Sequence, residues 1–435
     1  MKEQLAVYIE IKGKSIYVGN ITGDSPINAS FRYADEYMSQ EGNRPISISL
    51  PFSDSPFSSE QTFRFFDGLL PEGFTRRCVA GWMHVDENDY LSILAGLGKE
   101  CLGAVKILTS ADSKHRPKYR KITENEVRRL AAEGATESAQ MVTKAHLSLT
   151  GASGKVGLYL DADTGQWYLP LGEAPSTHIV KQSHVRLQRI VANEQLCLLT
   201  AGKLGIEIPE SFIINIGNNT DEDVLFATKR YDRKMTSGGV RIDGLSVPFR
   251  LHQEDFAQAL GIPAERKYEG EQDGYLKKMF ELLRAYSTDP MEDQLKLWDL
   301  CIFNYLIGNT DNHIKNVSLL YSEDLRAVRL APAYDIVSTV VYENSTEDMA
   351  LYIGGVRRLP DIRRQSFLAE AGHIGLGEKM AEKRLDSMAD RFERALVEAQ
   401  TELEAQGFYQ AGGLKDKILR YGGYHYILDG TSLAS

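Results

Sequence analysis

Apolar positions recur with period two through the first half of the chain and at helical spacing through most of the second. Leu5 to Ile11 reads as a strand, Gly13-Lys14 as a turn and Ser15 to Val18 as the return strand. Ile46 to Leu50 alternates strictly, which predicts a half-buried strand. Phe63 to Leu70 predicts a short helix ended by Pro71-Glu72-Gly73, and Gly98 to Val105 a turn feeding a further strand. From Ser110 to about Glu137 the chain is polar, with one helical candidate at Glu124 to Glu133. Alternation returns between Ala145 and Val180, with strands running into Thr150, from Val156 to Leu160, and from Thr177 to Lys181. Asn193 to Lys203 predicts an amphipathic helix on which Glu194 can meet a lysine, followed by strands at Ser211 to Ile216 and Val224 to Thr228.

Past Leu251 the spacing turns helical. Helices are expected at Gln253 to Leu260, Leu276 to Tyr286, Gln294 to Ile307, Leu368 to Gly372, Glu378 to Gln406 and Leu414 to Arg420, the longest of them broken near Arg384. The order of elements predicts an α+β protein with the two lobes of a protein kinase. An N-terminal α/β subdomain occupies 1–110 and a connector 111–140. A nucleotide-binding sheet lobe ending in a hinge occupies 141–250, and a helical catalytic lobe 251–435.

Composition narrows the partners. A net charge of −10 over 435 residues argues against a protein that grips nucleic acid by itself. The cysteines, Cys78, Cys101, Cys197 and Cys301, are scattered without metal-ligand spacing, and three of them sit among apolar residues as small core side chains. The first residues have no signal-peptide pattern and no apolar run is long enough for a bilayer, so a cytoplasmic protein without membrane contact is expected.

Candidate chemistry gathers after the apolar run Leu295 to Leu306. Gly308-Asn309 ends that helix, and Asp311, His313 and Asn316 follow in a polar turn. Two β-type runs, Val317 to Tyr321 and Ala327 to Leu330, predict a hairpin whose ends bring Asn316 and Asp335 together, with Asp311 one loop away. Phosphoryl transfer uses such a set. One Asp orients the attacking hydroxyl, and an Asn five residues on and a later Asp hold Mg²⁺ against the phosphates. A plain Asn- and Asp-rich turn after a helix is the competing reading of the spacing alone.

Upstream, Thr150-Gly151-Ala152-Ser153-Gly154-Lys155 stands between two strands, where backbone N–H groups can cover phosphates. It is not a Walker A loop, because Leu149 and Val156 occupy the positions that need Gly and Ser or Thr. An ordinary hairpin turn is the alternative. Lys181 ends an apolar strand and is placed to neutralise nucleotide phosphates. Lys229, Arg230, Tyr231 and Asp232 form the expected hinge for the adenine; Asp232 is a candidate acceptor for the ribose, with a surface Arg–Asp pair as the alternative.

With these residues in view the chain resembles the HipA family of serine/threonine kinase toxins over nearly its whole length. The matching segments are Gly308 to Asn316, Pro332-Ala333-Tyr334-Asp335-Ile336, Leu147 to Ala152, Arg230 to Arg233, Gln253-Glu254-Asp255 and Lys267-Tyr268, with Phe65 to Pro71 and Cys101 to Val105 in the N-terminal unit. The resemblance implies an ATP- and Mg²⁺-dependent protein kinase in which Asp311 is the catalytic acid/base and Asn316 and Asp335 hold metal. Lys181 then contacts the nucleotide phosphates. His313, on its own chemistry, is read as hydrogen-bonding the catalytic turn at the nucleotide site rather than taking part in the reaction. Ser148 matches the serine that family members autophosphorylate, which expels the phosphate loop; Thr150 and Ser153 are further candidates. It also implies a small HipB-like DNA-binding antitoxin, contact with DNA only through it, and a translation-related substrate of the aminoacyl-tRNA synthetase kind. Ser153 departs from the glutamine of many relatives, and the segment His184 to Val191, with Arg186 and Arg189, is short for an activation segment. A non-catalytic co-repressor and a small-molecule or lipid kinase are the competing functions.

Overall fold

A computed structural model describes residues 4–110, 116–133, 140–142, 154–183, 187–236, 239–409 and 411–429. It divides into two compact units, one made of 1–183, 214–264 and 318–328, the other of 184–213, 265–317 and 329–435. Helices and sheets mix in an α+β fold.

Two antiparallel sheets organise the first unit. In one, the strands neighbour one another in the order Ser30–Tyr33, Lys14–Thr22, Leu5–Ile11, Val105–Leu108. Alternate residues Leu5, Val7 and Ile9 are buried, as a strand with one covered face requires. The other runs Lys118–Lys121, Trp167–Leu171, Lys155–Leu160, His178–Gln182, Val224–Lys229. The helix Ser59–Phe66 starts at a capping box of Ser58 and Gln61, which satisfies backbone donors the helix leaves open.

A buried ionic network ties these pieces together. Glu100, with none of its side chain exposed, accepts from Arg230 at 3.1 Å, Arg233 at 2.8 Å and Arg250 at 2.7 Å. Arg250 also reaches Glu10 at 3.0 Å, and Asp232 accepts from Arg230 at 2.7 Å and from the Gly103 N–H at 2.7 Å. Burial alone would raise the Glu100 carboxyl, but the guanidinium groups of Arg233, Arg250 and Arg230 outweigh it and hold the acid well below the usual range. Neither the pairings nor the burial is visible in spacing along the chain.

Two expected elements differ. Ile46 to Leu50 is a turn rather than a strand. Its backbone is claimed by side chains instead of a neighbouring strand: the Ile48 N–H donates to Glu254 at 3.1 Å and the Ile46 N–H to the Tyr33 hydroxyl at 3.0 Å. Gln253–Asp255 is a strand paired with Ser318–Tyr321, and the helix begins only at Phe256. Asp255 caps it by accepting from the Gln258 N–H at 2.8 Å, a boundary the apolar spacing does not mark.

Glu254 is buried with its carboxyl accepting from the Ser47 and Tyr321 hydroxyls and the Ile48 N–H. Burial pushes it up to about 7, more than those hydrogen bonds lower it. An acid raised on folding binds more protons in the native state, so its contribution is full below about pH 4 and is lost as pH rises through 7. Urea denaturation across this range should show that Glu254→Gln removes a fall of about 3 kcal/mol between pH 4 and 7. A slope identical to the wild type's would show that Glu254 is already charged.

In the second unit the helices Ile190–Lys203, Tyr275–Tyr286, Pro290–Ile307, Arg364–Ile374, Glu378–Ala405, Ala411–Tyr421 and Gly423–Asp429 enclose a core built on Trp298, Phe303, Tyr305, Phe280, Phe367 and Phe392. Glu378–Ala405 is unbroken, contrary to the break expected near Arg384. It has no Pro or Gly inside, and Ala381, Leu385, Met388, Phe392, Leu396, Ala399 and Leu403 keep one continuous buried stripe. Arg384 itself pairs with Asp299 of Pro290–Ile307 and fastens the two helices where the break was expected. No helix among the described residues is long and apolar enough to cross a membrane.

Candidate active site

The helix Pro290–Ile307 aims the site. Asp289 caps its start by accepting from the Glu292 N–H, and Pro290 sits at the first turn, where its missing N–H costs nothing. Its far end is Gly308 in the left-handed conformation, φ 68°, which sends the chain sharply into the polar turn. A Cβ at Gly308 would lie 2.3 Å from Val340 Cγ2. Gly308→Ala should therefore lower the melting temperature through left-handed strain of about 1–2 kcal/mol and a forced shift of the Val340 loop. Gly372→Ala, inside an exposed helical turn with nothing within 4 Å, should instead be neutral or stabilising. Thermal melts of the two variants separate these outcomes, and an unchanged Gly308→Ala melt would refute the cap.

Beyond Gly308 the turn is locked from within. Asn309 donates to Asn304 at 2.7 Å and accepts from the Asp311 N–H at 3.1 Å. The His313 N–H donates to the Asp311 carbonyl at 2.8 Å, and the Asn316 N–H to the His313 carbonyl at 2.8 Å. The Asn316 side-chain amide donates to the Asp311 carbonyl at 2.9 Å, so its oxygen is the end turned to other partners. Asp311 is exposed, while His313, Lys315 and Asn316 are buried. Lys315 is nearly buried, at 5 % exposed.

A second segment is pinned against this turn. The Tyr334 hydroxyl donates to the Lys315 carbonyl at 3.0 Å, and the Ser338 hydroxyl to the Ile307 carbonyl at 2.6 Å. The Thr339 hydroxyl donates to the Gly308 carbonyl at 2.9 Å and accepts from the Thr310 N–H at 2.8 Å. Asn193 holds the same loop from the other side, accepting from the Ser338 N–H at 3.1 Å and donating to its carbonyl at 2.8 Å. Between Tyr334 and Ser338 stands Asp335, half-buried and in the left-handed region at φ 56°. The turn carrying Asp311 and Asn316 and the loop carrying Asp335 are therefore held together by named bonds. An Asp tolerates that backbone better than most residues, and such strain concentrates where a side chain must be aimed.

An amide oxygen and a carboxylate are hard donors of the kind Mg²⁺ takes together with phosphate oxygens. Among the described residues no group of three or more His, Cys, Asp or Glu side chains could hold a metal without such help. The donor set fits a cation shared with a phosphorylated ligand.

The remaining candidates lie in the first unit. Lys181 is nearly buried on the strand His178–Gln182, its Nζ 5.6 Å from the Phe226 ring centroid. Register sets Lys155 directly opposite it, so the strand leaving the Gly154-Lys155 corner runs beside Lys181. Ser148, Thr150, Gly151, Ala152 and Ser153 lie outside the described residues. Lys229 is exposed at the end of Val224–Lys229, and the Tyr231 hydroxyl donates to Gln253. Arg230 and Asp232 do not form a nucleotide-facing hinge, nor a surface pair. Both are at most 3 % exposed, and the Asp232 oxygens are taken by Arg230, Arg233 and the Gly103 N–H, which leaves nothing for a ribose.

Sequence spacing did not expose two parts of the site. The Tyr268 hydroxyl donates to Asp311 Oδ1, and its ring meets His313 edge-on at 5.1 Å. The Thr310–Thr339 hydroxyl pair, 2.7 Å apart, closes the turn onto the loop. Tyr268 is separated from Asp311 by a whole helix pair, so no local pattern could join them.

Two family models match the chain, the HipA N-terminal domain over residues 9–108 and the HipA-like C-terminal domain over residues 147–396. A Sinorhizobium fredii protein named "Putative kinase Y4mE" is 32% identical over 391 residues, 87% of this chain and 89% of that protein. The "Serine/threonine-protein kinase toxin HipA" of Shewanella oneidensis is 23% identical over 410 residues, 90% of this chain and 88% of that protein. Among solved structures, the Shewanella oneidensis complex of HipA, HipB and operator DNA contains a chain with the same fold. The TM-score is 0.75 at 21% identity, covering 99% of this chain and 100% of that one.

Proposed function

The chain belongs to the HipA family, and on that premise we propose that it is an ATP- and Mg²⁺-dependent serine/threonine protein kinase. The observation that carries the reading is the locked assembly of Asp311, Asn316 and the Asp335 loop, joined through the Asn316–Asp311 and Tyr334–Lys315 bonds. Asp311 orients the acceptor hydroxyl and takes its proton as the new O–P bond forms and the bond to the leaving ADP breaks. Asn316 and Asp335 hold the metal, which when bound supplies charge neutralisation on the phosphates. Lys181 and Lys155 neutralise phosphate oxygens, and His313 keeps the turn in shape. Lys229 and Tyr231 frame the adenine through their backbone.

Ser148 is the proposed autophosphorylation site, with Thr150 and Ser153 as alternatives; a dianionic group there would repel nucleotide phosphates and silence the enzyme. The proposed partners are a HipB-like antitoxin, which would carry any DNA contact, and a translation-related substrate such as an aminoacyl-tRNA synthetase. The Shewanella assembly supports the antitoxin, and the net charge of −10 supports DNA contact through a partner rather than directly. Phosphoproteomics after brief induction, comparing the wild type with Asp311→Ala, tests the activity and identifies the substrate. A serine or threonine site present only with the wild type supports the proposal; identical phosphoproteomes sink it.

A further inference from the structure

Tyr268 is a large aromatic residue with 42 % of its surface exposed, so core packing does not explain it. Its hydroxyl donates to Oδ1 of Asp311, itself exposed on the turn, and its ring lies edge-on to buried His313 with centroids 5.1 Å apart. The next residue fixes the backbone. Glu269 is buried, and its carboxylate accepts from the Tyr275 N–H at 2.8 Å and the Tyr352 N–H at 2.7 Å. Its own N–H donates to the Ala350 carbonyl at 3.0 Å and its carbonyl accepts from Arg357 at 3.3 Å. A rigid segment therefore delivers a phenol to the exposed carboxylate of Asp311.

We propose that Tyr268 is a positioning residue for Asp311: its phenol engages one carboxylate oxygen and so orients the other toward the acceptor hydroxyl. This rests on the kinase reading. A carboxylate on an exposed turn samples several rotamers, and a near-attack geometry is lost with small misplacements. A charge-assisted hydrogen bond from an anchored ring selects one rotamer before substrate arrives. The ring over His313 does a separate job, keeping the turn beneath Asp311 covered.

Tyr268→Phe keeps the ring and removes only the donor, and Tyr268→Ala removes both. Steady-state transfer to a protein acceptor, with KM for ATP and kcat measured separately and melting followed alongside, distinguishes the roles. Expected for Tyr268→Phe is a fall in kcat of about 10- to 100-fold with KM for ATP within about twofold and an unchanged melt. Tyr268→Ala should fall further. Wild-type kcat in Tyr268→Phe would overturn the inference while leaving the kinase assignment standing. A lowered melt with kcat restored at reduced temperature would overturn it in favour of a structural tyrosine. An inactive wild type that still melts cooperatively would instead remove the kinase reading beneath it.

Discussion

Asp311→Ala is expected to lower phosphoryl transfer by about 10²- to 10⁴-fold while leaving nucleotide affinity and melting temperature close to the wild type's. The turn explains why the effect should be confined to chemistry. Its shape is held by backbone atoms and by Asn309, Asn316 and Thr339, and the Asp311 side chain contributes to none of those bonds. The exposed carboxylate can be removed without emptying a core position. Stopped transfer with intact ATP binding, measured by titration with a fluorescent nucleotide, would identify Asp311 as the group that handles the acceptor proton. Transfer at the wild-type rate would remove it from the mechanism.

The largest effect on stability is expected in the first unit. Glu100→Gln leaves Arg230, Arg233 and Arg250 without the anion they converge on. Breaking a buried ion set from one side costs about 3–5 kcal/mol, because the remaining charges stay buried and unbalanced. Lys234→Ala removes the exposed Lys234–Glu323 pair and should change stability by no more than about 1 kcal/mol. The acid has its pH signature too. Glu100 is held below its unfolded value, so its contribution is complete above about pH 4 and is lost as pH falls below that. Urea unfolding of the wild type and both variants at pH 7 and pH 3 checks the magnitude and the direction. A Glu100→Gln midpoint equal to that of Lys234→Ala would mean the network is not what holds the unit.

Much of this was legible in the chain because the signals are local. Gly308 after an apolar helix, the five-residue step from Asp311 to Asn316, the period-two run Leu5 to Ile11 and the apolar run Val224 to Thr228 each carry their own physical cause. The misreadings share a different cause. Ile46 to Leu50 alternates like a strand, yet Tyr33, 13 residues before Ile46, and Glu254, 206 residues after Ile48, take its N–H groups. Arg230-Tyr231-Asp232 looks like a hinge, yet Arg230 is paired with Glu100, more than a hundred residues upstream, and Asp232 with Arg230 and Arg233. The break expected near Arg384 fails for the same reason, since Asp299 gives that arginine a partner on a neighbouring helix. Polar residues are read as exposed from sequence alone, and only three-dimensional pairing shows which of them are buried with a counter-charge.

The most direct measurement is transfer of label from γ-labelled ATP by purified protein, with and without Mg²⁺, in the wild type and in Asp335→Asn. The site described here predicts label on a serine or threonine, of the chain itself or of an added bacterial extract. That label should disappear without Mg²⁺ and fall at least about a hundredfold in Asp335→Asn. Equal labelling by the variant, or labelling indifferent to the metal, would contradict a site in which Asp335 is the residue that holds it.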